Sequence, residues 1–130
     1  MARVSLLVIL FLALVVELAL AVAALAAPAF LVQQFGLHYS PDLAFVANVL
    51  GWLLLFVTLV AGVALGQVWQ RRPQFATLCY LLGFWWIAIG LGLFVAFGKT
   101  DNLLLDSLKG LLIVVFTRAC QVTRMTARRY

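Results

Sequence analysis

The apolar residues of this chain fall into four long runs that are separated by three short polar joints. The runs cover residues 4–32, 43–68, 75–97 and about 103–122. Each is close to the roughly 20 residues that an α-helix needs to cross about 30 Å of hydrocarbon. The pattern predicts an all-α integral membrane protein, an up-down bundle of four transmembrane helices, as a single transmembrane domain over residues 1–130.

The joints carry residues that start and stop helices. Ser40 and Pro41 stand ahead of the second run, where a serine can cap a helix and a proline can open one. Pro73 stands ahead of the third run, and Gly98 follows its end as a glycine helix stop. Joints this short make successive helices antiparallel neighbours.

Basic residues mark one side of the predicted bundle. They are Arg3, Arg71, Arg72, Arg124, Arg128 and Arg129. An even number of crossings places the amino terminus, the second joint and the tail on that same side, and the positive-inside rule makes it cytoplasmic. We therefore expect both termini in the cytoplasm of a bacterial cell and the helices in its inner membrane.

Composition supports a lipid environment. Hydrophobic residues make up 67% of the chain and charged residues 10%, whereas a soluble domain carries roughly a quarter charged residues. The mean hydropathy is +1.18. The net charge of +5 is expected from the membrane topology and from attraction to anionic headgroups, so we predict the lipid bilayer and no nucleic acid as its partner.

The first run also has the order of parts of a secretory signal, with Arg3, an apolar stretch and small residues before Pro28. A signal core has about 7 to 15 residues. This run is longer and contains Glu17, so we expect it to be retained. The alternative, cleavage near Ala29, would leave a three-helix protein.

Glu17 lies near the centre of the first run, where an ionisable side chain is expected to face a partner or a cavity. Asp106 and Lys109 interrupt the fourth run. At about 1.5 Å per residue, Glu17 lies roughly 21 Å from Arg3, and Lys109 lies roughly 22 Å from Arg124. The first and fourth helices of such a bundle are adjacent, so the sequence predicts an intramembrane charge cluster of Glu17, Asp106 and Lys109.

Three interpretations of this cluster are open. Glu17 and Lys109 can hold the first and fourth helices in register, as buried polar pairs do in some proteins. A cluster with two carboxylates and one ammonium can also take up a proton, which allows a proton or ion path through Glu17. In the third interpretation, Glu17 meets a basic residue of another membrane protein.

Small residues predict close contacts between helices. The second run contains Gly62 and Gly66 in a GxxxG motif, and the third contains Ala88, Gly92 and Ala96 at four-residue steps. Such faces let helix backbones approach closely in a membrane. We expect them to pack helices within the chain; the alternative is the seam of a homo-oligomer.

Trp85 and Trp86 are predicted at nearly the depth of Glu17. A buried indole N–H needs an acceptor, which Glu17 can supply, and the ring faces can attract lipophilic cations. We therefore regard both as a possible aromatic lining of the charged site. The alternative is that they pack against lipid and neighbouring helices.

The sequence offers little for catalysis or cofactor binding. Cys79 and Cys120 have no CxxC spacing, and His38 is the single histidine, so we expect neither a haem, nor a metal site, nor another cofactor. No serine with a recognisable base and no glycine-rich phosphate loop occurs. We expect that the protein is not an enzyme.

Several short segments resemble those of the small, functionally uncharacterised four-helix bacterial inner-membrane proteins. They are Pro28 before Phe35-Gly36-Leu37, Ser40-Pro41-Asp42, Leu50-Gly51-Trp52, and Asp106-Ser107-Leu108-Lys109-Gly110. A glutamate in the first of four helices is also similar to the small multidrug resistance transporters. That family lacks a lysine in its fourth helix and has a different aromatic and glycine pattern, so its mechanism is not carried over.

These observations predict a non-enzymatic function. We expect an accessory, assembly, regulatory or immunity-type protein that acts through contacts within the membrane with a membrane-protein partner or a second copy of the chain. The alternative is a small proton-coupled transporter protomer that uses Glu17.

Overall fold

A computed structural model describes residues 1–34, 36–98 and 100–127. These residues form five α-helices and no strand: α1 (Ala2–Ala26), α2 (Pro28–Gln34), α3 (Pro41–Trp69), α4 (Phe75–Phe97) and α5 (Thr100–Ala127). Helices α1, α3 and α4 are long and apolar enough to cross a membrane, which confirms an all-α fold of membrane type. Arg128 and Arg129, two of the arginines used above for orientation, lie outside the described residues.

The first apolar run is not one helix, so the predicted helix over residues 4–32 is wrong. Helix α1 ends at Ala26, and Ala27 leaves the helical conformation with φ −140° and ψ 61°. The next residue is Pro28, which disfavours the helical conformation in the residue before it and has no N–H for the helix ladder. Pro28 therefore opens the short helix α2, which packs against α1 and α3.

The other helix bounds follow the local chemistry of the joints. Helix α4 covers the predicted residues 75–97, and its C-cap Gly98 has the left-handed φ of 65°. Ser40 caps α3, with its Oγ accepting a 3.3 Å hydrogen bond from the Leu43 N–H. Both the glycine stop and the serine cap are confirmed. Helices α3 and α5 extend beyond their predicted bounds at both ends.

The long helices form two antiparallel pairs, α1 with α3 and α4 with α5, and contacts within each pair are more extensive than those between the pairs. The start of α1 lies against the end of α3, since the Arg3 guanidinium donates to the carbonyls of Val68 and Trp69. We call this side the arginine end (Arg3, Arg71 and Arg72). The opposite side, where α3 and α5 begin, is the aspartate end (Asp42 and Asp101).

The buried core lies in the half of the bundle nearer the arginine end. Its members are Leu6, Leu10, Val57, Ala61, Ala64, Val68, Phe75, Ala76, Cys79, Leu82, Trp86 and Ile113. All four long helices contribute to it. Large apolar side chains such as Phe56, Phe84 and Leu104 are exposed on the outside of the bundle, as expected where the surrounding solvent is lipid.

The tightest helix crossing is between Gly83 of α4 and Gly110 of α5. A Cβ added to Gly83 would lie 2.9 Å from the Gly110 carbonyl oxygen and 2.6 Å from Cγ2 of Val114. Gly51 of α3 likewise lies against the end of α1. Absence of a side chain is therefore required at Gly83 and Gly110, where the near atoms include backbone and a methyl group would separate the helices, whereas the atoms nearest to Gly51 belong to the side chains of Leu25 and Ala24.

The small residues predicted to make helix contacts do not make these close crossings. Ala88, Gly92 and Ala96 are exposed on α4, so the prediction that they pack within the chain is wrong. A Cβ on Gly66 would meet nothing within 4 Å, and one on Gly62 would meet only Leu14, at an ordinary 3.5 Å. The GxxxG motif thus contacts α1 loosely and is not a tight crossing.

Candidate functional site

Glu17 belongs to the inward stripe of α1. Buried residues on this helix recur at three- and four-residue steps, and Glu17 takes the place of an apolar residue in that series. Only 2% of its surface is exposed. A carboxylate this deeply buried is destabilising unless a partner compensates it.

Lys109 supplies that partner from α5. Its Nζ lies 2.8 Å from Oε1 of Glu17 and 3.0 Å from Oδ1 of Asp106. Asp106 precedes Lys109 by three residues, so both side chains lie on the same side of α5. The structure therefore brings together the three residues that the sequence predicts as an intramembrane charge cluster. We call Glu17, Asp106 and Lys109 the charge cluster.

Trp86 completes the surroundings of the ammonium group. Its ring centroid lies 3.6 Å from Lys109 Nζ, which is within the range of a cation–π interaction. An ammonium group has three N–H donors, and here it meets two carboxylates and one π face. The ring face is thus already occupied by Lys109.

Trp85 is not part of this site. Its side chain is on the neighbouring face of α4 and is 38% exposed. It lines a shallow apolar groove between α3 and α4 with Leu53, Phe56 and Val57. Of the two tryptophans predicted to line the charged site, the structure places only Trp86 there.

A cavity of about 520 Å³ opens beside the charge cluster. It lies between the two helix pairs, in the half of the bundle nearer the aspartate end. Leucines from every helix contribute to its wall, among them Leu20, Leu31, Leu50, Leu93 and Leu105. Glu17, Asp106, Lys109 and Trp86 also line it, so the charged groups form one polar region in an otherwise apolar cleft that is open to the surface of the bundle, which we call the apolar cavity.

The charge cluster contains two carboxylates and one ammonium group. With all three side chains ionised, their own charges sum to −1, and Asp106 has a further interaction besides its contact with Lys109. In apolar surroundings the attraction between Lys109 and each carboxylate is stronger than in water. The carboxylates would attract a cationic group that reached the cluster through the apolar cavity.

The cluster also links the two helix pairs. Glu17 belongs to the pair α1/α3, and Lys109 belongs to α4/α5. On one side of this link the pairs share the buried core, and on the other the apolar cavity separates them. The ion pair is therefore positioned to set how far apart the pairs lie beside the cavity.

Some contacts and cavity-lining residues are only weakly indicated by the sequence. The Tyr80 hydroxyl of α4 donates to Oε1 of Gln121 on α5 at 2.9 Å. Leu50 and Leu54 of α3 line the apolar cavity, but nothing distinguishes them from the leucines that face outward. Counting depth from the arginines could have paired Tyr80 with Gln121. The leucines that line the cavity could be predicted only if it were known which face of α3 turns inward.

The residues that the structure describes contain no group of three or more His, Cys, Asp or Glu side chains suited to a metal ion. Neither Cys79 nor Cys120, the two cysteines of the sequence, forms a disulfide. Comparisons with known protein families, curated proteins and solved structures found no match to this chain.

Proposed function

We propose that this protein is a non-enzymatic integral membrane protein that acts as an accessory, assembly, regulatory or immunity-type partner of another membrane protein. The observation that supports this proposal is the charge cluster at the wall of the apolar cavity, where Glu17, Asp106 and Lys109 meet inside the bundle. The two carboxylates would attract a basic side chain on a helix of the partner, while apolar side chains around it would fill the cavity. Ionisable groups inside a membrane commonly mark such sites.

The proposal includes α5 as a fourth membrane span, with both termini cytoplasmic in a bacterial inner membrane. Asp106 and Lys109 lie on the side of α5 that meets α1, since Lys109 pairs with Glu17, and both are largely covered by the bundle. Arg118 is exposed near the arginine end, where a long basic side chain can extend to the headgroups. The arginine end would then be the cytoplasmic end.

Partner capture tests this function. The tagged protein is extracted from its native membrane in mild detergent, and the captured proteins are identified by mass spectrometry. Asp106→Asn neutralises one carboxylate of the cluster, and Asp101→Asn is the matched control because Asp101 is exposed at the aspartate end. We expect one membrane protein to be captured by the wild type and the control, and much less by Asp106→Asn. Equal capture by all three would contradict the proposal.

A second candidate function is that of a small proton-coupled transporter protomer, which would form a dimer. It is favoured by one observation: Glu17, which can exchange a proton, lines the apolar cavity. The purified protein in liposomes would then move a substrate in response to a pH gradient, and Glu17→Gln would abolish the movement. The accessory function predicts no transport by the purified protein in this assay.

A further inference from the structure

The apolar cavity opens through one side of the bundle. The exposed side chains of its lining all belong to two helices: Leu12, Val16 and Leu20 of α1, and Leu105 and Leu108 of α5. The lining residues that come from α2, α3 and α4 are buried or half-buried. The mouth of the cavity therefore lies between α1 and α5. With α5 as the fourth span, this mouth faces the hydrocarbon of the bilayer.

The mouth has the shape of a seat for a further helix. Leu12, Val16 and Leu20 follow at four-residue steps, so they form a row along α1 that is about 12 Å long. Leu105 and Leu108 form a shorter row along α5. Two helices with exposed apolar rows present a groove into which the side chains of another helix can pack. We call these five residues the α1/α5 groove.

Glu17 brings an acceptor to the cavity behind this groove. Its Oε1 accepts a hydrogen bond from Lys109 Nζ at 2.8 Å, and among the residues that the structure describes, Lys109 is the one donor to this carboxylate. A carboxylate has about four acceptor sites on its two oxygens. Since Glu17 is only 2% exposed and lines the apolar cavity, a donor for Oε2 has to come through the cavity.

A cationic donor suits Oε2 better than a neutral donor. Lys109 Nζ also lies 3.0 Å from Oδ1 of Asp106, so Glu17 shares its ammonium group with a second carboxylate. Hydrogen bonds that involve ionised groups are roughly twice as strong as neutral ones, and apolar surroundings strengthen the attraction of opposite charges. The contact would be made by Glu17, so it does not require Asp106 to be without other partners.

We propose that the partner binds through one transmembrane helix, which lies in the α1/α5 groove and places a lysine or arginine at the depth of Glu17. This inference rests on the proposed function and adds to it the face, the depth and the residue of contact. The cationic side chain would donate to Oε2 of Glu17, and the apolar side chains next to it would fill the cavity of about 520 Å³. A basic residue is costly in the span of a lone helix, and pairing with a buried carboxylate would offset that cost.

Other occupants match the cavity less well. The acyl chain of a lipid has no donor for Oε2. A second copy of the chain does not offer a cation at this depth on the outside of its described spans, because the exposed Arg118 is nine residues from Lys109 and so about 14 Å nearer the arginine end.

The probe for the test is a synthetic single-span peptide of leucine and alanine with one lysine at its centre. The full-length protein and the peptide carry a donor and an acceptor fluorophore, and energy transfer in dioleoyl phosphatidylcholine vesicles gives the apparent affinity. The lysine peptide should bind about tenfold more tightly than the same peptide with leucine at its centre, the effect of one charge-assisted hydrogen bond. A shift of the lysine by about seven residues, or 10 Å, should remove this difference.

Glu17→Gln and Asp101→Asn are the matched variants for the charge. Glu17→Gln retains an oxygen for Lys109 but removes the carboxylate, so the lysine and leucine peptides should bind to it within about twofold of each other. Asp101 is exposed at the aspartate end, so Asp101→Asn should retain the full preference for the lysine peptide, as expected for a screened surface charge.

Leu105 and Leu104 are the matched positions for the face. They are neighbours on α5 with similar exposure, 70% and 67%, but only Leu105 lines the apolar cavity. The photoreactive residue p-benzoylphenylalanine should crosslink to the lysine peptide with a several-fold higher yield from position 105 than from position 104.

Four results would overturn the inference: equal binding of the lysine and leucine peptides, an unchanged preference for lysine in Glu17→Gln, equal crosslinking from positions 104 and 105, and no binding of either peptide. If any of them occurred while the native partner was still captured, the proposed function would stand and the partner would bind elsewhere. If the peptides behaved as expected but no native membrane protein was captured, the groove would be confirmed and the proposed function would be wrong.

Discussion

Lys109 Nζ lies 2.8 Å from Oε1 of Glu17 and connects two helices that are far apart in the sequence. Glu17 is on α1, which packs mainly with α3, and Lys109 is on α5, which packs mainly with α4. The ion pair therefore joins the two halves of the bundle at the wall of the apolar cavity. Its removal should affect the association of the halves more than the stability of any one helix.

Replacement of Lys109 is predicted to be the most destabilising single change in the charge cluster. Lys109→Met leaves Glu17 and Asp106 as two carboxylates without their shared cation. We expect the free energy of unfolding to fall by about 3 to 5 kcal/mol, the usual result of removing one partner of a buried ion pair. Reversible unfolding in detergent micelles, followed by circular dichroism, measures the change.

Neutralising either carboxylate is predicted to have a smaller effect. In Glu17→Gln the amide oxygen still accepts a hydrogen bond from Lys109, and Asp106 still balances the ammonium charge. In Asp106→Asn the Glu17 carboxylate balances the ammonium charge of Lys109. We expect each variant to lose only about 1 kcal/mol, the contribution of one hydrogen bond. The same unfolding measurement tests this prediction. If Glu17→Gln lowered the free energy of unfolding as much as Lys109→Met does, Asp106 would not balance the charge of Lys109 as described.

The crossing of α4 and α5 predicts that Gly110 tolerates no side chain. A Cβ on Gly110 would lie 2.9 Å from the Ile87 backbone nitrogen, which cannot move aside without separating the helices. We expect Gly110→Ala to cost about 1 to 3 kcal/mol, as overpacking does. The measurement is the free energy of unfolding in detergent.

Gly66 and Gly92 provide controls for the Gly110 prediction. Both are helical, and a Cβ on either would meet nothing within 4 Å. Alanine is a better helix former than glycine by about 0.5 to 1 kcal/mol, so Gly66→Ala and Gly92→Ala should be neutral or stabilising. Destabilisation of either variant to the level of Gly110→Ala would show that the helix packing described above is incorrect.

The two adjacent tryptophans are predicted to differ strongly. Trp86 is buried and stacks on the Lys109 ammonium, whereas Trp85 is partly exposed. Trp86→Leu should lose about 2 kcal/mol from the cation–π contact and the enlarged cavity. Trp85→Leu should change stability by less than about 0.5 kcal/mol, as is usual for surface positions. Equal effects in thermal unfolding would contradict the placement of Trp86 beside Lys109.

The proposed topology predicts opposite sides for the joint after α4 and the end of α5. In a variant without Cys79 and Cys120, Asp101→Cys should react with a membrane-impermeant maleimide in intact bacterial cells whose outer membrane has been permeabilised. A fluorescent protein fused to the carboxyl terminus should fold and fluoresce in the cytoplasm. If Asp101→Cys were labelled only after the inner membrane is opened, the orientation of the protein would be opposite to the proposed one. If the fusion were external and non-fluorescent, α5 would not cross the membrane.

The sequence predicts the helices well where the joints contain distinct chemistry. Gly98 ends α4 at the predicted residue, and Ser40 caps α3 as expected. The prediction is wrong at Pro28, because the apolar run continues past the proline and hydropathy alone does not show that the helix ends there. A proline that is surrounded by apolar residues ends α1 through its backbone effect, whatever the polarity of its neighbours.

Inward faces are predictable only where a helix is amphipathic. On α5 the residues Gly110, Ile113 and Thr117 recur at steps of three and four, a spacing that predicts one shared face, and all three are buried. Helix α4 is apolar all round, so small residues on two faces look equivalent. The face with Gly83 is inward and the face with Gly92 is outward, a choice that depends on how α4 meets α5 and is not visible in the sequence of α4 alone.

The most direct test of the account is a double-mutant cycle between Glu17→Gln and Lys109→Met. With Lys109 replaced, the Glu17→Gln change removes a buried carboxylate that has lost its cation, so the double variant should be more stable than Lys109→Met by about 2 kcal/mol. Together with the loss of about 1 kcal/mol predicted for Glu17→Gln alone, this gives a coupling of about 3 kcal/mol, at the upper end for contacting residues. The measurement is the free energy of unfolding of all four proteins in the same detergent. Additivity of the two changes to within about 0.5 kcal/mol, the value for independent sites, would contradict a direct pair between Glu17 and Lys109.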